Sequence, residues 1–305
     1  EEESTLYADQ LWVNATLTQP IIFSTAVVTI KNSKLNVEIL AVSNTTLKLE
    51  NVSMKVSGRN AINLKDSNAT LSSCVISGED FPTVYSEKSK LTLENGTLKA
   101  LGANAINLKN TEMVVKDCMI TGEAFPVLCA ERSKSELENT TIKALGANAI
   151  NLKDSNITLK NCTITGGDNE KKFPATYVEH SNLYGYHTTF EQKQYDSCLY
   201  VLDNSYLFLE DSTLTSIDMY KSRCVINGSV MRESLSLHEY SYMINKDNLE
   251  FLGENIEKVE IYLGGSSTLV ANEMIFSKDG NRIIRLNDYS HLKTERISEG
   301  EVQLE

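Results

Sequence analysis

The stretch Ala61-Ile62-Asn63-Leu64-Lys65 decides the fold, because it returns twice. Ala105-Ile106-Asn107-Leu108-Lys109 and Ala149-Ile150-Asn151-Leu152-Lys153 repeat it at a spacing of 44 residues. Phe81-Pro82, Phe125-Pro126 and Phe173-Pro174 fall between these copies and mark a second, alternating unit. The 44-residue period is thus two related units of 22, and a period in this range denotes a stacked-repeat architecture.

A hydroxyl column sets the finer period. Thr45, Ser67, Ser89, Thr111, Ser133, Ser155, Ser181, Ser205 and Ser229 are spaced by 22 residues five times, then by 26, 24 and 24. Beside it runs a turn column of Asn51, Ser73, Asn95, Asp117, Asn139, Asn161, His187 and Asp211. All but the His are small and polar, and such residues bond to neighbouring backbone and tolerate left-handed conformations. Apolar positions alternate with period two. Leu49, Leu71, Leu93, Val115, Leu137 and Leu159 form one inward column; Met54, Ile76, Leu98, Ile120, Ile142, Ile164, Phe190 and Leu214 form another; Ile62, Val84, Ile106, Leu128 and Ile150 form a third. Three short strands per unit predict parallel stacks bonded from coil to coil, with right-handed crossovers. A leucine-rich repeat fits poorly, since Asn51 follows Leu49 by two residues rather than three and no helical period appears.

On these columns the chain resembles the right-handed parallel β-helix of the pectin-lyase-like superfamily, over about residues 25–229 and again near 267–290. The expected class is all-β, a solenoid of ~22–24-residue coils with an irregular C-terminal excursion. Residues 1–24 are read as an N-terminal cap or first strand, 25–229 as regular coils, 230–266 as an irregular covering segment, and 267–305 as final coils and a cap. A chain of 305 residues suggests two domains by length, but a solenoid is one continuous core.

Composition narrows the function. Hydrophobic residues make up 41% and charged residues 23%, enough for a large core. Against 29 Lys+Arg stand 41 Asp+Glu, a net charge of −12 that argues against nucleic acid and anionic lipid as partners. The longest apolar runs are a few residues, such as Ile21-Ile22-Phe23, so no membrane insertion is expected. The chain begins Glu-Glu-Glu-Ser without Met, which reads as a mature product or a fragment of a larger protein.

Outward columns alternate in sign. Lys65, Glu87, Lys109, Glu131, Lys153 and Glu179 share one position, and Asp66, Lys88, Asn110, Arg132, Asp154 and His180 nearly repeat the pattern one residue on. A slip by one coil keeps every Leu inside but sets Lys against Lys, so these ladders read as control of register. A partner reading the striped face is the alternative. Lys55, Lys99 and Lys143 recur every second coil, read as solvated lysines or as a row suited to a periodic polyanion.

Cys74, Cys118 and Cys162 sit every second coil, too far apart for disulfides, and are expected to point inward. Cys129 falls on an outward column, and Cys198 with Cys224 is the one pair open to bridging. Mostly unpaired thiols favour the cytoplasm over secretion or the cell surface. Nine Asn-x-Ser/Thr sequons, including Asn51, Asn95 and Asn139, fall on turns and are read as turn chemistry.

The superfamily resemblance implies cleavage of acidic polysaccharides, and the motifs for that chemistry are missing. There is no Asn-Thr-Asp, no Asp-Asp and no Gly-His-Gly. The acidic turns at Glu79-Asp80, Glu123 and Asp168/Glu170 have no Arg on neighbouring outward columns, and His180, His187, His238 and His291 are scattered. No nucleophile elbow, phosphate loop or metal motif occurs, so no catalytic residue, metal or cofactor is expected. The binding candidates are aromatic. Of 13 Tyr, 11 lie at or after Tyr177; Tyr184, Tyr186 and Phe208 face outward on one sheet, and Tyr177 and Tyr200 on another. Such a face suits a protein partner or sugar rings, unless residues 230–266 cover it. The reading is a non-catalytic scaffold or protein-binding β-helix within a larger protein. A carbohydrate-binding or polysaccharide-degrading protein and a surface adhesin passenger are the alternatives.

Overall fold

In a computed structural model, described over residues 4–17, 19–167, 173–192, 197–251, 258–276, 281–298 and 303–304, the chain forms strands and turns and no helix. Strands stack in three columns around one core. Ile62–Lys65 pairs in parallel with Ile39–Val42 below and Val84–Glu87 above. Asn68–Ser72 lies likewise between Thr46–Glu50 and Lys90–Glu94, and Val75–Gly78 between Ser53–Val56 and Thr97–Ala100. These three are called here the first, second and third stacks. The inward columns read from sequence are buried throughout, because period-two alternation sends every second side chain to the same face.

The corners are held by chemistry that the sequence announced. Asn51, Asn95, Asn139, Asn161, His187 and Asp211 all take φ between 46° and 53°, a left-handed turn that Asn and Asp accept most readily among residues with a Cβ. Their side chains also bond along the column: Asn139 Nδ2 donates to Asp117 Oδ1 at 3.0 Å and Asn161 Nδ2 to Asn139 Oδ1 at 3.3 Å. At the hydroxyl corner, the N–H groups of Ser67, Thr111, Ser133, Ser155 and Ser181 each donate to the hydroxyl of the coil above, at 2.9–3.1 Å. The hydroxyls of Ser89, Ser133, Ser155 and Ser181 donate in turn to carbonyls two residues back, as Ser133 does to Glu131 at 2.8 Å, and that of Ser205 to Leu202, three back. Each such buried bond contributes about 0.5–1.5 kcal/mol.

Cys74, Cys118 and Cys162 occupy the matching corner between the second and third stacks. Their Sγ atoms lie 3.2–3.3 Å from carbonyls two residues back, so the thiols stand where Thr140, Thr188 and Ser212 stand in other coils.

Above Tyr200 the coils change length. Ser205 donates its N–H to Ser222, 17 residues on, and Ser222 donates to Ser241 after 19. The hydroxyl column therefore continues through Ser222, and Ser229 belongs to the other corner, above Ser212. The extrapolated spacing overshot because Thr213–Tyr220 and Val230–His238 run from the third stack into the first as single bent strands. The register breaks between Leu214 and Ser216, and the intervening turn is gone. Residues 230–251 and 258–266 stack as further coils rather than lying over the aromatic face: Leu235 pairs with Ile261 in register, and Tyr242–Asn245 with Thr268–Phe276.

Cys198 and Cys224 are both free and buried. They cannot approach, since Cys198 lies level with Ser216 at the entry to the first stack while Cys224 pairs with Leu207 in the second.

Candidate functional site

The aromatic residues singled out from sequence gather on two adjacent outer faces of the upper coils. On the first stack, Tyr177 and Tyr200 are register partners with ring centroids 5.9 Å apart. Tyr200 pairs with Asp218, and Tyr220 projects from the same face two residues on, 5.7 Å from Tyr200. His238, the register partner of Tyr220, stacks on it at 4.3 Å and 4°, and Tyr262 follows at 4.9 Å. The result is a ladder of five rings, one per coil.

Charged groups border the ladder. Asp218 Oδ1, buried and without a hydrogen bond, lies 3.3 Å from His238 Nε2. Tyr177 Oη donates to Glu179 Oε2 at 3.4 Å. Arg285, the register partner of Tyr262, is ion-paired with Glu260. Burial, then the Glu179 carboxylate, raises the Tyr177 phenol above its ordinary pKa, so it remains a neutral donor at physiological pH.

The second stack carries Tyr184 and Phe208 as register partners. Their close ring contacts run diagonally: Tyr184 to Tyr206 at 5.9 Å and Tyr186 to Phe208 at 5.6 Å. Half-buried Val225, Ile244 and Val270 continue the column upward. A groove of about 310 Å³ at the corner between the faces is lined by Asn204, Ser205, Tyr206, Lys221 and Arg223.

All five sequence candidates are therefore on these faces, half-buried by their neighbours rather than by a covering segment. Sequence reasoning missed Tyr206, Tyr220, His238 and Tyr262. Tyr220 and His238 follow shortened coils, which only the Ser205–Ser222–Ser241 hydroxyl spacing signals, whereas Tyr206 and Tyr262 stand 24 and 26 residues beyond their register partners Asn182 and Ser236.

Other candidates resolve differently. Lys55 and Lys99 are bound to Glu79 and Glu123 of the next coil, each at 3.2 Å, so these two offer no uncompensated row to a polyanion. The Lys65-to-Glu179 ladder stands in the expected register, with Lys109–Glu87 at 3.8 Å and Lys153–Glu179 at 3.7 Å. His187 sits in the Asn turn column, 3.9 Å from Asp211. Asp168 and Glu170 lie outside the described residues. Among the described residues, no three His, Cys, Asp or Glu side chains converge as metal ligands. Burial pushes the Cys198 thiol up to about 12 and raises Cys224 as well.

A model of the right-handed β-helix region matches residues 36–191. No curated protein matches the chain at a significant level. The match spans half of the sequence. The chain belongs to the right-handed β-helix family.

Proposed function

We propose that this β-helix is a non-catalytic, rigid scaffold that binds a protein partner through the aromatic faces of its upper coils, as part of a larger protein. The observation that carries the reading is the ladder Tyr177–Tyr200–Tyr220–His238–Tyr262. Interfaces favour tyrosine because it offers a large apolar area and a polar tip at little entropic cost. The backbone beneath is fixed on both sides by strand pairing, so little ordering is needed on binding.

The geometry also favours protein over sugar. A sugar stacks on an exposed ring face, and at the centre of this ladder Tyr220 and His238 cover one another's faces at 4.3 Å and 4°. The phenolic hydroxyls beside the apolar rings suit the mixed apolar and hydrogen-bonding surface of a protein. The buried thiols fit a reducing compartment such as the cytoplasm.

The test is a photo-crosslinking residue placed at Tyr200 in producing cells. The expected result is a discrete protein adduct that disappears when Tyr177→Ser and Tyr262→Ser are introduced together. Adducts insensitive to those changes, or product release from an acidic polysaccharide by the purified chain, would refute the reading.

A further inference from the structure

The corner joining the third stack to the first carries a second surface, on different coils from the aromatic faces and independent of their role. In successive coils one position holds Arg59, Phe81, Ala103, Phe125, Ala147 and Phe173, an order fixed by the flanking strands. Phe81 is 47% and Phe125 53% exposed, whereas Ala103 is 9% and Ala147 4% exposed. Large and small residues thus alternate along the rod axis. With a rise of ~4.8 Å per coil, the Phe side chains stand ~10 Å apart with a hollow between them.

Two residues earlier, Glu79, Leu101, Glu123 and Leu145 alternate in the same coils. The ridge is rigid. Asn104 Nδ2 donates to the Pro126 carbonyl at 2.6 Å and Asn148 Nδ2 to the Pro174 carbonyl at 2.7 Å. Gly102 packs so closely that a Cβ there would lie 2.7 Å from the Glu79 carbonyl oxygen.

We propose that this ridge is a self-association surface whose occupant is a second copy of the chain, docked antiparallel. Phe125 seats over the partner's Ala103 and Phe81 over the partner's Ala147, with the reciprocal contacts following from the two-fold axis. A row that repeats every two coils is best matched by a surface with the same rise and period, and the chain itself has one.

Charge selects the arrangement. A parallel, in-step pairing sets Phe81 on Phe81 and Arg59 on Arg59. The antiparallel one places Glu79 against the partner's Leu145 and Glu123 against the partner's Leu101, so no like charges meet. It also brings Phe173 opposite the partner's Arg59, a cation over a ring. Three Phe and two Leu supply roughly half of the ~800 Å² per partner of a standard interface. The dimer is therefore weak, with a Kd on the order of 10 µM.

Sedimentation equilibrium across a wide concentration series tests this. The mass is expected to rise from one chain to two, and Phe125→Ser to weaken the dimer at least ~10-fold. Ala103→Leu should weaken it too, although it adds apolar surface, because it fills the hollow. Phe81→Ser provides a second variant, and circular dichroism checks that each keeps its β-structure. A monomer at every concentration would overturn the proposal, as would a dimer indifferent to Phe125→Ser and Phe81→Ser. A dimer strengthened by Ala103→Leu would point to unspecific adhesion and overturn it as well.

Discussion

The coils below Tyr177 and those above it solve one problem in two ways. Below, from Ile39 to Lys153, successive turns are offset by 22 or 23 residues, the outward columns alternate Lys with Glu and the corners repeat, while the first coils, up to Ile39, are offset by only 17–19 residues. Above, the offset between coils falls to 17 and 19 residues, two turns straighten into bent strands, and aromatic rings replace charges on the outer face. A stack of near-identical coils can slip by one coil without exposing any apolar side chain, so it needs a signal that distinguishes neighbours. Alternating charge supplies one. Coils of unequal length cannot slip, because their corners would no longer coincide. Freed from that duty, the outer face of the upper coils can carry Tyr177, Tyr200 and Tyr220.

The strongest challenge to this contrast lies at the junction. Phe190 is fully buried where Gly185 replaces the inward Leu of lower coils, and a Cβ on Gly185 would lie 2.9 Å from Leu209 and 3.4 Å from the Phe190 ring. Phe190→Ala should cost about 3–5 kcal/mol, measured by denaturant unfolding. Adding Gly185→Leu should recover part of the loss by refilling the space. Failure to do so would show that the two positions do not share one volume.

A smaller effect appears with pH, and burial raises the thiols of Cys74, Cys118 and Cys162 in the lower coils as well. Cys198 and Cys224 belong to the upper coils, and their thiols are held neutral by burial. The unfolded thiol titrates near 9.0 and folded Cys198 near about 12, so the folded state binds the proton more tightly. That stability is complete below pH 9 and is lost as pH rises toward 12. The slope is at most about 1.4 kcal/mol per pH unit for each thiol. Cys198→Ala should flatten the alkaline limb of the stability profile, and an unchanged limb would contradict it.

Smaller still is the charge ladder. Glu87→Lys with Glu131→Lys sets five lysines in a row and creates four like-charge contacts. At about 0.2–1 kcal/mol each, they should destabilise these coils by about 1–4 kcal/mol. Salt should reverse much of that. An unmoved melting midpoint at low salt would show that register rests on something else.

The coils from Ile39 to Ile164 were legible in the sequence because their spacing is nearly constant. Once Ser67 and Ser89 are aligned, every inward residue up to Ile164 follows, and so does the left-handed turn at Asn95. The same arithmetic placed Ser229 above Ser205, where Ser222 stands, because nothing in a constant period announces a lost turn. The candidate site suffered for the same reason. Tyr177 and Tyr200 were found inside the regular spacing, whereas Tyr220, His238 and Tyr262 required coil lengths that only the structure supplies. Ion pairing of Lys55 with Glu79 was equally hidden, since the partner lies one coil on and two residues along.

The buried hydroxyl corner has a further consequence. Thr111 gives its amide proton to Ser133, Ser133 to Ser155 and Ser155 to Ser181, while the carbonyls of Thr111, Ser133 and Ser155 accept from the N–H groups of Lys134, Asn156 and Asn182 in the coil above. Each layer therefore leaves donors and acceptors at this corner that its successor satisfies, and a terminal layer has no successor. Removing a layer from that end trades one solvated donor for another, so erosion there advances in equal steps. Excising a layer from the middle strands a donor in the dry interior, which is why loss of order in such a molecule should begin at its tips.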